Sequence, residues 1–254
     1  MGESADIRKI LDDWPYDPDQ DARIVEGEGG RQVLQVRTPM GLEQYELDGR
    51  PDGNRPHGDE SELEYHLGRL ERAKAGGREA EFELSSGDCA TLFHEGTLYY
   101  FRYIRLFQLK DWSRTLRDTG RNLRVFDLVH RYAGREQDRQ FLEKWRPYIL
   151  RIRGCAAAML ELEKPNHKAA LSAARESIQA IELLDELDDE TFKFERERSL
   201  TALRELVEQI EQNRPLSELE RLERQLRRAI DRQEFERAAQ LRDNIRELKN
   251  RSAP

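Results

Sequence analysis

Residues 216–251 read LSELERLERQLRRAIDRQEFERAAQLRDNIRELKNR. Leu219, Leu222, Leu226 and Ala229 recur at intervals of three, four and three, and Ala238, Leu241, Ile245 and Leu248 repeat them. Each set therefore lies on one face of an α-helix. The two sets do not join into one seam, because Gln233, Glu236 and Arg237 fill positions that a continuous seam would keep apolar. The helix is expected to break near Asp231 to Glu234, with Asp231 and Glu234 as a capping box for the second helix. The result is an antiparallel helical hairpin with Phe235 at its turn. Below roughly 40 residues a chain rarely buries enough apolar surface to fold unaided. The leucines must meet a partner: a second copy, another protein, or the rest of this chain.

The same residues carry a resemblance. Leu226, Ala229 and Ile230, followed by Glu234, Phe235, Glu236, Ala238, Ala239, Leu241, Arg242, Asp243, Ile245 and Leu248, resemble the UVR motif. That motif is shared by the excision-repair proteins UvrB and UvrC and by McsA-type activators of protein-arginine kinases. Gln233-Glu234 stands where the motif usually has Glu-Asp. The resemblance implies a protein-docking hairpin, not a catalytic one, with Leu219, Leu222, Leu226, Ile230, Phe235, Ala238, Leu241, Arg242, Ile245 and Leu248 as docking residues. A generic amphipathic hairpin packed on its own domain is the alternative.

Ahead of the hairpin, residues 59–214 are expected to be helical. The segments are Ser61–Ala75, Asp88–Lys110, Trp112–Ala133, Asp138–Glu163, His167–Leu187 and Thr191–Gln212, and Pro215 separates them from the hairpin at 215–254. An internal match pairs Trp112, Thr115, Leu116, Thr119 and Leu123 with His167, Ala170, Leu171, Ala174 and Ile178. Small residues at helix crossings resemble tetratricopeptide repeats, although the period is longer than theirs. Residues 1–58 are expected to form a three-stranded antiparallel meander and a turn-rich loop, with strands at Arg23–Glu26, Arg31–Thr38 and Leu42–Asp48. The fold class is α+β, mostly α. The strings at 14–18 (WPYDP) and 48–53 (DGRPDG) resemble the start of uncharacterised bacterial UVR-motif proteins, which supplies no function.

Two further clusters have chemistry to offer. Arg114, Arg117, Arg121, Arg124 and Arg131 form a stripe that reads as a phosphate-tracking face. The alternative is a solvated face, or one paired with the acids between Glu182 and Glu190. Residues 102–153 carry fourteen Lys and Arg against six Asp and Glu, in a chain of net charge −8. In the loop from Asp48 to Gly58, Arg50, Arg55 and His57 form a candidate anion site; an ordered connecting loop is the alternative. The aromatic run Tyr99–Phe107 reads as core, with Tyr100, Tyr103 and Phe107 on one face.

Charged residues make up 37% of the chain and mean hydropathy is −0.90, which suits amphipathic helices better than a large central sheet. No run of 18 apolar residues marks a membrane span. Cys89 and Cys155 lack CxxC spacing, so no cysteine-rich zinc module is expected. The histidines show no metal spacing, and no cofactor motif or nucleophile elbow appears. The expectation is a non-enzymatic bacterial cytoplasmic adaptor, without metal or cofactor and linked to excision repair or stress response. It would dock a protein partner or self-associate through the hairpin. A nucleic-acid binder using the arginine stripe is the second reading, and an enzyme centred on Asp48–Gly58 the third.

Overall fold

The computed structural model describes residues 6–214 and 218–251, so Pro215 and Leu216 lie outside the described residues. A short helix α1 (Arg8–Asp13) precedes strands β1 (Ala22–Glu26), β2 (Gln32–Thr38) and β3 (Gly41–Glu46). Helices α2 (Glu62–Ala75), α3 (Ser86–Gln108), α4 (Trp112–Tyr132), α5 (Glu136–Glu143) and α6 (Arg146–Glu163) follow. The chain continues with α7 (His167–Glu182), α8 (Glu190–Asn213), α9 (Glu218–Asp231) and α10 (Phe235–Arg251). The protein is mostly α with a small antiparallel β part. It divides into two compact units, one up to Glu208 and one from Gln209 onward.

The strands pair in sequence order, with Ile24 opposite Leu34 and Leu34 opposite Tyr45. Side chains alternate along a strand, so Leu34 and Val36 point to one face. There they are buried with Leu47 and with Leu106 of α3. Leu106 of α3 thus completes the core of the meander, while the helices that follow pack around a second core that includes Leu63, Leu92, Val129 and Ile149, and both cores lie in the unit that ends at Glu208. Between β1 and β2, Gly29 and Gly30 adopt φ of +72° and +77°, a region that side chains with a Cβ disfavour. Ahead of the sheet, the Trp14 carbonyl accepts a hydrogen bond from Arg37 Nε at 2.9 Å, and the Arg23 guanidinium lies 4.0 Å from the Trp14 ring centroid.

Local chemistry sets the helix ends. Ser61 caps α2 by accepting from the Glu64 N–H, and Ser85 with Asp88 forms a capping box on α3, each satisfying donors that a helix start leaves open. The single helix expected over Asp138–Glu163 is two: α5 ends at Glu143 and α6 starts at Arg146. Pro147 is the reason. It sits in the first turn of α6, where a missing N–H is harmless, and it resists inclusion in a helix interior.

The matched segments begin α4 and α7. Each is the second helix of a hairpin, α3–α4 and α6–α7, and α6 packs against both α4 and α7. Asp111 and Asn166 cap α4 and α7 by accepting the backbone N–H of Arg114 and Ala169. Thr115 and Thr119 in α4, and Ala170 and Ala174 in α7, are fully buried, while Leu116 and Leu171 are half-buried. Gly154 of α6 allows close packing: a Cβ there would collide with the Ser177 side chain of α7 and approach Leu203 of α8.

Candidate docking hairpin and the charged cluster of the first unit

Helices α9 and α10 pack against each other, joined by Arg232, Gln233 and Glu234. The Glu234 N–H donates to the Ala229 carbonyl at 2.8 Å, and the Gln233 N–H donates to the Ile230 carbonyl at 2.9 Å. With Gln233 at φ +59°, this is a Schellman closure of α9. The expected capping box at Asp231 is corrected accordingly. Asp231 is the last residue of α9, and α10 starts after Glu234, whose carbonyl accepts the Ala238 N–H. Phe235 is the first residue of α10 and not part of the turn.

Inside the pair, Ala229, Ala238 and Leu241 form a small buried cluster on which Leu222 and Leu226 pack half-buried. Ile245 is also buried, and Leu219 and Leu248 are half-buried. Two large apolar side chains near the turn remain outside: Ile230 is 53% exposed and Phe235 70%. Arg242 is exposed, its Nε 3.5 Å from Asp243.

The arginine stripe lies on α4, and each of its members meets an acid. Arg114 pairs with Asp111 at 2.7 Å, Arg117 with Asp118 at 2.9 Å and Asp48 at 3.0 Å, Arg124 with Glu64 at 3.3 Å, and Arg131 with Glu79 at 3.4 Å. Arg121 is not solvent-facing: it is nine-tenths buried, ion-paired to Glu95, with its guanidinium 4.0 Å from the Tyr99 ring centroid. Burial lowers its guanidinium to about 9, which leaves it a cation at neutral pH. The acids between Glu182 and Glu190 serve other partners, namely Lys193, Arg196 and Arg204.

Glu95 is the centre of this region. It is fully buried in α3, and its carboxylate accepts the backbone N–H groups of Glu62 at 2.8 Å and Leu63 at 3.1 Å. One side chain thus satisfies two open donors at the start of α2. Arg50, in the turn after β3, reaches to 3.6 Å of Glu95 and 3.0 Å of Asp52. Beside this cluster, Arg102 grips Asp118 through two hydrogen bonds of 2.7 and 2.9 Å and donates to the Glu46 and Gly49 carbonyls. The expected anion site does not assemble. Arg50 turns inward to acids. Arg55 donates toward the Gly58 carbonyl at 3.5 Å, and His57 stacks on Tyr65 at 3.8 Å with its Nε2 3.3 Å from Glu62. Glu95, Arg102 and Asp118 are not among the residues that sequence reasoning singles out as a site: their helical spacing fits a buried face, but their charge reads as solvent-facing.

Neither cysteine is poised as a nucleophile; burial raises the Cys89 thiol to about 11 and that of Cys155 above its ordinary value. No helix among the described residues is long and apolar enough to cross a membrane.

The family model described as the UvrB/uvrC motif matches residues 217–251, 35 of the 254 residues. That span contains α9 and α10; the last turn of α8, from Gln209, belongs to the second unit but lies outside it. The motif is an interaction module of excision-repair proteins. No curated protein and no solved structure matches the chain.

Proposed function

We propose that this protein is a non-enzymatic adaptor that docks a protein partner through α9 and α10. The observation that carries the reading is the UvrB/uvrC match falling on a helical pair that belongs to a compact unit of its own. A helical pair with half-buried Leu222 and Leu226 and exposed Ile230 and Phe235 has apolar surface to offer. The fully buried core of a protein interface is apolar and rich in aromatic side chains, which is what this surface can supply. The α3–α4 and α6–α7 hairpins serve as a tetratricopeptide-like body that presents the pair. The setting is the bacterial cytoplasm, and the process is excision repair or a stress response. Pairing with acids along α4 speaks against a phosphate-tracking face, because neutralised guanidinium groups lose the field that steers nucleic acid.

The test is affinity capture from nuclease-treated extract with three proteins: the full chain, a chain ending at Arg214, and Phe235→Asp with Ile230→Asp. Both side chains are exposed, so the double variant keeps its fold. The expected result is a partner, or a second copy of the chain, recovered with the full chain and lost with the other two. Equal recovery by all three overturns the proposal.

A further inference from the structure

A cavity of about 420 Å³ lies in the first unit, walled by α3, α4, α6 and α8. Phe93, Tyr100, Phe126, Trp145, Tyr148 and Ile149 contribute to its largely apolar lining. Trp145 is 40% exposed, so the cavity reaches the surface there. Pockets for small ligands run from roughly 300 to 1,000 Å³, and about 150 Å³ of apolar space is enough to hold benzene.

A glycine keeps this space open. Gly96 lines the cavity from the interior of α3. Glycine weakens a helix interior relative to alanine, so its presence there needs a reason. At Gly154 the reason is crowding, because a Cβ would collide with Ser177. At Gly96 no neighbour crowds: an added Cβ would meet no side chain nearer than Asn122 Oδ1 at 4.0 Å. Its backbone is ordinary right-handed helix, so no turn demands glycine either. A longer side chain at 96 would occupy the cavity itself.

The charges around the cavity are already matched within the chain. Arg151, Lys144 and Arg146 lie 5.0, 6.0 and 5.5 Å from the Tyr148, Trp145 and Phe126 ring centroids. Glu195 is 3.6 Å from Arg198, and its other oxygen is buried out of a guest's reach. Thr97 donates to the Phe93 carbonyl, and the Asn122 amide donates to the Gly96 carbonyl. A cationic guest would meet rings that already carry cations, and an anionic one would lie beside Glu195. A guest without charge makes neither demand. Aromatic rings attract one another edge-to-face beyond the area they bury, and the lining already pairs this way, with Tyr100 edge-on to Tyr103 at 5.6 Å.

We propose that this cavity binds a small uncharged aromatic molecule, held among the rings of α3, α4 and α6 in the space that Gly96 leaves free. The site is independent of the hairpin and of the docking function.

The test titrates the full chain with toluene, benzoate and benzamidinium by calorimetry and ligand-observed NMR. The three share one ring and differ in charge. The expected result is saturable toluene binding, with both ions at least about tenfold weaker, because a charge loses hydration on entering an apolar space. Gly96→Leu should weaken toluene by at least about tenfold and melt no lower than the parent, since leucine favours the helix and fills open space. Absence of saturable toluene binding, or an ion bound as tightly as toluene, overturns the proposal without any variant. A Gly96→Leu chain that keeps the parent's affinity, or that melts below the parent, overturns it as well.

Discussion

Glu95→Gln is the perturbation that most directly tests how the first unit is held together. The substitution keeps the shape of the side chain and removes its charge. Four groups depend on that charge: the N–H groups of Glu62 and Leu63, and the guanidinium groups of Arg50 and Arg121. Arg50 retains Asp52 at 3.0 Å. Arg121 retains no acid within ion-pair distance among the described residues and stays nine-tenths buried. Removing one member of a buried pair typically costs about 3–5 kcal/mol, because the survivor is left uncompensated. In a domain of about 150–250 residues each kcal/mol moves the melting midpoint by about 2–4 °C, so the expected loss is roughly 6–20 °C. Arg121→Met is the informative comparison. It leaves Glu95 with Arg50 and two helix N–H groups, so it should cost only about 1–3 kcal/mol. The assay is thermal melting of both variants, followed by circular dichroism. A Glu95→Gln protein that melts within about 2 °C of the parent, or an Arg121→Met protein that is the less stable of the two, refutes the reasoning.

Two other outcomes follow from single residues. Gln233→Gly relieves the left-handed backbone at φ +59°; it should stabilise the helical pair by about 0.5–1 kcal/mol, read as a roughly two- to fivefold gain in amide-exchange protection across α9 and α10. His66 is buried and its imidazole is held below the ordinary 6.5, chiefly by desolvation; the unfolded chain then takes up the proton first, so this contribution to stability is intact above about pH 6.5 and declines as pH falls below it. Denaturant midpoints at pH 7.5 and 5.5 should show a smaller acid-side loss in His66→Gln than in the parent.

The hairpin, the meander and most helix limits were legible because apolar periodicity reports directly on burial. Leu34 and Val36 on one strand face, and Leu222, Leu226 and Leu241 along the helical pair, needed no other information. The charged cluster was not legible, for a specific reason. In α3 the buried stripe runs Leu92, Glu95, Tyr99, Arg102, Leu106, at intervals of three, four, three and four. Two of its five members are charged, and in a chain that is 37% charged a charge reads as solvent-facing. The same holds in α4. Arg121 fits a stripe of arginines, yet it also lies next to the buried face that includes Asp118, Asn122 and Val125. Helical spacing allowed both readings. What decided between them was Glu95 on another helix, a partner no local pattern supplies. Pro147 is the sequence signal that breaks the long helix expected after Asp138, because proline is tolerated in a first turn and not in a helix interior.

The three helical hairpins also say why the last differs from the first two. All close alike: Asp111 donates to Leu106, Asn166 to Glu161 and Glu234 to Ala229, each N–H reaching back five residues. In the first unit further helices complete the packing, since α6 lies against both α4 and α7, and small residues such as Thr115 and Ala170 reach zero exposure. An amphipathic helix presents an apolar stripe at least about 100° wide. One neighbour covers only part of a stripe that wide. In α9 and α10 the small residues near the turn close over one another, whereas Leu222 and Leu226 stay half-buried and Ile230 and Phe235 stay exposed. Burying the rest of such a stripe takes another apolar surface, and burial of apolar area yields roughly 25 cal/mol per Å². A pair that closes tightly at its turn and remains partly open along its seam therefore has stability to gain from a third apolar surface, which is what the proposed docking requires.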